Sequence, residues 1–136
     1  MQTFIPCLTF PECASVLDRQ RLGKQRMEVL QLLRALRGVS SGWVTHPATR
    51  MWQGHEYSLA EYGLAVCAEW ISRGYKDTCT AKIKDLQGRG DPSRPLWWGN
   101  PRVHSSHRAS LLFKNSEHYS RFGWGEVPQI NYIWPV

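Results

Sequence analysis

The segment from Arg21 to Leu36, RLGKQRMEVLQLLRAL, constrains the fold more than any other stretch of this 136-residue chain. Val29, Leu32, Leu33 and Leu36 recur at helical spacing and form one apolar stripe. Arg21, Lys24 or Gln25, and Glu28 fall at i, i+3/i+4 and i+7 on the face beside it. Together with Arg19 just upstream, the helix gathers Arg19, Arg21, Lys24, Arg26 and Arg34 around a single carboxylate, Glu28. A carboxylate held among cations next to a core suits an anionic partner with an acid/base group at the centre of its site. The plainer reading is a solvated helix face with routine ion pairs, and spacing alone leaves both open.

The rest of the chain reads as helices separated by turns. Thr9-Phe-Pro-Glu12 has the form of a capping box with proline in the first turn, so a short helix should follow to about Leu17. Residues 38–42, GVSSG, form a turn. Thr45 is expected to cap a further helix with Pro47 in its first turn, and Gly54 to kink or split it. From His55 to Arg73, the residues Leu59, Tyr62, Gly63, Val66 and Trp70 keep helical spacing, with Gly74 as a stop; this is the expected centre of the core. Thr80–Leu86 offers one or two further turns, and Gly88–Pro95 is a loop by composition. Pro101–Lys114 reads as helix, and Ser116 as the cap of a last short one. Trp124–Val136 lacks periodicity and is expected to wrap the surface, anchored by Tyr132 and Trp134. There is no repeat and no convincing strand pair. The expectation is therefore an all-α fold, one compact domain over residues 1–136 with an extended C-terminal tail.

Charge is spread unevenly. Residues 1–50 carry +4, residues 51–75 carry −2 and residues 76–136 carry +4. Two basic ends should meet in space and present a positive field, which favours polyanions such as nucleic acid, nucleotides or anionic lipid. Cys7, Cys13, Cys67 and Cys79 form no C-x-x-C pair, so a zinc ribbon is not expected and the thiols read as small core residues. No stretch has signal-peptide or membrane-spanning character, so the expectation is a cytoplasmic protein (host-cell cytoplasm if phage-encoded) with no membrane partner. Seven tryptophans are many for this length. Most should be core, and one near the basic patch, with Trp98 as the candidate, could stack on a base.

The histidines add to the same picture. His104 and His107 have i, i+3 spacing on one helix, but two imidazoles are not a metal site, and neither a metal nor another cofactor is expected. His107 and Arg108 read better as contacts to phosphate or to Glu28. His46, just before Pro47, reads as a cap or as part of the same cleft. No phosphate-binding glycine loop, dinucleotide fingerprint or nucleophile elbow is present.

Taken in order, several blocks resemble a known family. They are the basic helix with Arg26 and Glu28, then GHEY (54–57) opening a long helix that closes on Glu69-Trp70 and Arg73-Gly74-Tyr75, then HSSHRASLL (104–112), then Tyr119 and Phe122-Gly123-Trp124. The chain resembles the pyrimidine-dimer DNA glycosylases, the phage endonuclease V-like proteins, over nearly its whole length. The resemblance implies a compact all-α fold and a glycosylase with an associated abasic-site lyase. In that family an N-terminal amine attacks the sugar C1′ and forms an imine, a glutamate on the second helix assists, and neighbouring arginines hold the phosphates of kinked DNA with a base flipped out. By position, Glu28 matches the glutamate, Arg26 approximates the arginine before it, and Met1 supplies the amine. Arg19, Arg21, Lys24, Gln25, His46, His104, His107, Arg108 and Trp98 complete the expected binding surface.

This chemistry is physically coherent. An α-amine has a reference pKa of about 8, against about 10.4 for lysine, so more of it is unprotonated at neutral pH. A carboxylate can orient the sugar and shuttle a proton, and arginines clamp phosphate in bidentate fashion. Where the family exposes a threonine amine, Gln2 follows Met1 here, and its bulk predicts retention of the methionine. Lys24 is then the other amine able to form an imine. The expected partner is damaged duplex DNA. The alternative is a diverged member that binds nucleic acid or a small nucleotide without chemistry.

Overall fold

A computed structural model describes residues 1–136 and contains seven α-helices, a closing 3-10 turn and no strand. The helices are α1 (Phe10–Val16), α2 (Arg19–Leu36), α3 (Pro47–Arg50), α4 (Glu56–Ser72), α5 (Thr80–Gln87), α6 (Pro101–Lys114) and α7 (Ser116–Tyr119), and the 3-10 turn is Ser120–Phe122. The fold is all-α, as the periodicity predicts. No helix is long and apolar enough to cross a membrane.

Helix α4 lies at the centre and packs on α1, α2 and α5. It buries Leu59, Ala60, Tyr62, Gly63, Val66 and Cys67. The close crossing of α2 over α4 depends on Gly63, because a Cβ there would come within 2.6 Å of Val29 Cγ1. On α2, Val29, Leu32 and Leu33 are fully buried, while Leu36 is only half-buried at the edge of the stripe.

Helix ends follow the expected chemistry with three shifts. Thr9 caps α1 by accepting the Glu12 N–H and donating to its carboxylate. His46, rather than Thr45, caps α3: its Nδ1 accepts the Ala48 N–H at 3.0 Å, directly ahead of Pro47. That helix ends at Arg50 with Met51 as its C-cap, Gly54 at φ 83° closes the turn that follows, and α4 starts afresh at Glu56. Asn115, rather than Ser116, caps α7 through the His118 N–H. Helix α2 also begins earlier than its apolar pattern, at Arg19, because Asp18 is tied to α7 by reciprocal hydrogen bonds with the Tyr119 hydroxyl. Burial opposes the Asp18 charge, but the hydroxyl and Arg21 outweigh it and hold that carboxyl below the usual range.

The element that sequence periodicity does not reveal is the start of the chain. Residues 2–6 are extended and buried among the helices, with no strand beside them. The other irregular segment, the tail, runs along α6. The Gln129 N–H donates to the Ala109 carbonyl, the Ile133 N–H to Ser106 Oγ, and Ser110 Oγ to the Tyr132 hydroxyl. The tail therefore does lie over the helices on Tyr132, and Trp134 packs edge-on to His46 at 5.9 Å.

Candidate active site

A buried extended segment must satisfy its backbone N–H and C=O groups, and without a neighbouring strand only side chains can do so. Five residues supply them. Gln25 donates from Nε2 to the Gln2 carbonyl at 2.7 Å and accepts the Phe4 N–H at 2.8 Å. The Tyr62 hydroxyl donates to the Phe4 carbonyl. His107 Nδ1 accepts the Ile5 N–H at 3.1 Å, and His104 Nδ1 donates to the Ile5 carbonyl at 2.8 Å. Arg108 donates to the Pro6 carbonyl. The outcome is a fixed path that ends with the Gln2 N–H donating to Glu28 Oε2 at 2.9 Å.

The helix carboxylate and the first residues of the chain thus meet across 26 positions of sequence. Around them lie two adjoining hollows that share Met1, Lys24 and Glu28. One, of about 260 Å³, is also lined by Arg21, Gln20, Lys114 and Tyr132. The other, of about 290 Å³, is also lined by Met27, Gln31 and Trp43. Glu28 is half-buried, and its second oxygen has no protein donor. Lys24 and Lys114 are exposed and pair with no carboxylate, and Arg21 shares its charge with Asp18 at 3.3 Å. His46 lies close enough for its titration to feel both groups. Burial and the positive chain terminus push its pKa down, while Glu28 pulls it up.

The expected site residues therefore divide. Met1, Glu28, Arg21 and Lys24 come together in the cleft, His46 stands beside it, and Arg19 is exposed at the start of α2. The others are turned inward. Gln25 is 1% exposed and holds Gln2 and Phe4. Arg26 leaves the Glu28 side of α2, pairs with Asp77 at 2.6 Å and lies over the Trp70 ring at 4.6 Å. Burial works against the Asp77 charge, but Thr80 and Arg26 overcome it and hold its carboxyl well below the usual range. His104 also accepts the Gly99 N–H on Nε2, so both of its ring nitrogens are engaged, and neither is free for phosphate or metal. Burial pushes the His107 pKa down to about 3, with His104 adding to the shift, so its ring is neutral. Arg108 is divided between Pro6 and Glu126. Trp98 donates its indole N–H to the Leu8 carbonyl and packs edge-on to Phe10. For Gln25, His104, His107 and Arg108 the common cause is the buried chain start, which recruits polar side chains that would otherwise read as ligand contacts, whereas Arg26 is drawn away by Asp77.

Sequence reasoning missed Lys114, Tyr132 and Trp43, which reach the cleft from the end of α6, the tail and the turn before α3. No local pattern marks them. The only signal was the summed positive charge of both ends of the chain.

Compared with known families, residues 1–83 match the family model described as pyrimidine dimer DNA glycosylase. That part holds Met1, Glu28, the cations of α2 and His46, and stops before Trp98, His104, His107 and Arg108. No curated protein and no solved structure matches the chain.

Proposed function

The chain belongs to the pyrimidine dimer DNA glycosylase family, and from that premise we propose that it excises a damaged pyrimidine and opens the resulting site as a lyase, using the Met1 amine with Glu28 as its acid/base partner. DNA repair and a DNA substrate come with the family. The observation that carries the finer reading is the Gln2 N–H donated to Glu28 at 2.9 Å, which sets the start of the chain beside the carboxylate.

The unprotonated amine attacks C1′ of the damaged nucleotide. The C1′–N bond breaks, and its electron pair leaves with the base, which takes up a proton from water. The amine gives its proton to Glu28, which returns one to O4′ as the C1′–O4′ bond opens, leaving an iminium between the chain nitrogen and C1′. Glu28 then removes a proton from C2′, and the 3′ phosphate departs by elimination. The bond from Gln2 occupies one oxygen of Glu28 and leaves the other for these transfers. Lys24, Lys114 and Arg21 supply the positive field for the flanking phosphates.

Borohydride trapping with duplex DNA carrying an abasic site tests this. A covalent adduct is expected, mapped by mass spectrometry to Met1 and lost when the terminus is acetylated. An adduct on Lys24 would reassign the amine. No adduct with any DNA would overturn the lyase reading.

A further inference from the structure

The four cysteines are all free thiols, but they are not equivalent. Cys67 and Cys79 are buried. Burial pushes the Cys67 thiol up to about 12, and Cys79 donates its S–H to Met27 Sδ at 3.4 Å. Cys7 and Cys13 form a pair of another kind. Cys7 stands where the buried chain start emerges, between buried Pro6 and exposed Leu8, and is itself half-buried. Cys13 lies on α1 and is fully buried.

Hydrogen bonds hold the two residues together from both sides. The Cys7 N–H donates to Cys13 Sγ at 3.4 Å, and Cys13 Sγ donates to the Cys7 carbonyl at 3.4 Å. The Cys13 thiol is also within hydrogen-bond reach of the Cys7 sulfur. The Cys13 sulfur is thus kept against a residue six positions away, on a bend that Arg108 fixes further by donating to the Pro6 carbonyl at 2.8 Å. Their surroundings separate the two sulfurs. The hydrogen bond from Cys13 holds the Cys7 thiol below its usual pKa, with Arg108 helping, and outweighs burial and Glu12. Burial, and then the bond to Cys7, pushes the Cys13 thiol up. The thiolate is the reactive form of cysteine, and an accessible one beside a second thiol is the arrangement that oxidants convert to a disulfide.

We propose that Cys7 and Cys13 form a redox-active dithiol site, at which a hydroperoxide oxidises Cys7 and Cys13 resolves it as an intramolecular disulfide. The Cys7 thiolate attacks one peroxide oxygen. The O–O bond breaks, Cys7 becomes a sulfenic acid, and the departing hydroxide takes a proton from solvent. The Cys13 sulfur then attacks the Cys7 sulfur. The S–S bond forms as the S–O bond breaks, and hydroxide leaves with the Cys13 proton as water. The two sulfurs together give up two electrons, and the peroxide is reduced to water. The site is separate from the cleft, since neither cysteine lines the hollows around Glu28. Its cross-link ties the outer end of the chain start to α1, while Gln25 and Glu28 hold the inner end.

Oxidation of the full chain tests this. Reduced protein, freed of reductant, is exposed to a small excess of hydrogen peroxide, unfolded in N-ethylmaleimide and mapped by mass spectrometry. Two of the four thiols should be lost to the label. A cross-linked peptide sensitive to dithiothreitol should join Cys7 to Cys13, while Cys67 and Cys79 remain labelled. With dimedone present, Cys13→Ser should accumulate an adduct on the Cys7 sulfenic acid, and Cys7→Ser should form no disulfide. If either variant fails to fold, the wild-type map still decides. Four labelled thiols, a disulfide with any other pairing, or Cys7 carried on to sulfinic acid without a disulfide overturns the site. A dimedone adduct on Cys13 of Cys7→Ser, with none on Cys7 of Cys13→Ser, overturns Cys7 as the attacking sulfur.

Discussion

Lys24 and Arg26 stand two residues apart on α2 and point to nearly opposite sides of it. Arg26 is buried against Asp77 and Trp70, with 12% and 2% of the two ion-paired side chains exposed. Lys24 is exposed, has no carboxylate partner, and lines both hollows around Glu28. The contrast separates two uses of the same charge. A cation that already has its counter-ion inside the protein holds helices together, whereas one left unpaired at the rim of a cleft is available to a polyanion. The same division applies to the carboxylates. Asp77 is paired with Arg26 and accepts hydrogen bonds from the Thr80 N–H and hydroxyl, while Glu28 receives only a backbone N–H.

The sharpest way to break this contrast is at Glu28. Glu28→Gln keeps an oxygen to accept the Gln2 N–H but cannot take up a proton. Single-turnover cleavage of dimer-containing DNA should fall about 10²- to 10⁴-fold, while Tm and DNA affinity stay close to wild type. A drop in Tm with little change in rate would place Glu28 with Asp77 as a structural carboxylate. On the structural side, Arg26→Ala should destabilise by about 3–5 kcal/mol in urea unfolding, because it strands a buried Asp77 charge. Arg26→Met combined with Asp77→Leu should recover much of that loss.

The buried chain start should show itself in pH. His107 is held neutral, its pKa pushed down to about 3 by burial, and His104 is shifted the same way. In the unfolded chain a histidine titrates near about 6.5, so between that pH and about 3 the unfolded state binds the extra proton. The stabilisation is therefore complete above the unfolded pKa and is lost as pH falls toward the folded one. From pH 7 to pH 5 the unfolding free energy should drop by about 2 kcal/mol on account of His107 alone. Asp18 and Asp77 have depressed carboxyl pKa values, so their contribution survives this range and is lost only at lower pH. A flat stability profile from pH 7 to 5 would mean that the two rings do not bracket Ile5 in their neutral forms.

These same residues show what was legible in the sequence. The helices could be read because each carries its own record: the apolar stripe of α2, the Thr9–Glu12 box, and Gly74 after α4. The meeting of Met1 with Glu28 could be anticipated only through the family resemblance, since nothing local announces that residues 2–6 are buried. An extended run without alternation looks like a loose terminus until its hydrogen-bond partners are known. Those partners, Gln25, Tyr62, His104, His107 and Arg108, come from three separate helices, and the polarity of most of them reads as readily as ligand chemistry. The inward turn of Arg26 was hidden for the same reason: its counter-ion, Asp77, lies 51 positions away.

The smallest effect tests the rim of the cleft. Lys24 and Lys114 have no internal partner, so truncating either removes no protein contact that folding needs. Lys24→Ala should leave unfolding stability within about 0.5 kcal/mol of wild type. If each lysine neutralises one phosphate, each variant should reduce the slope of log K against log salt by about 1, and affinity should fall similarly for damaged and undamaged duplexes. The two losses should add if each lysine meets its own phosphate, since neither lysine bonds to the other or to a shared protein partner. Arg26→Ala provides the contrast: measured well below its lowered Tm, it should leave the salt slope unchanged because its guanidinium faces Asp77 rather than solvent. A salt slope that responds to Arg26 but not to Lys24 would reverse the assignment of the two sides of α2.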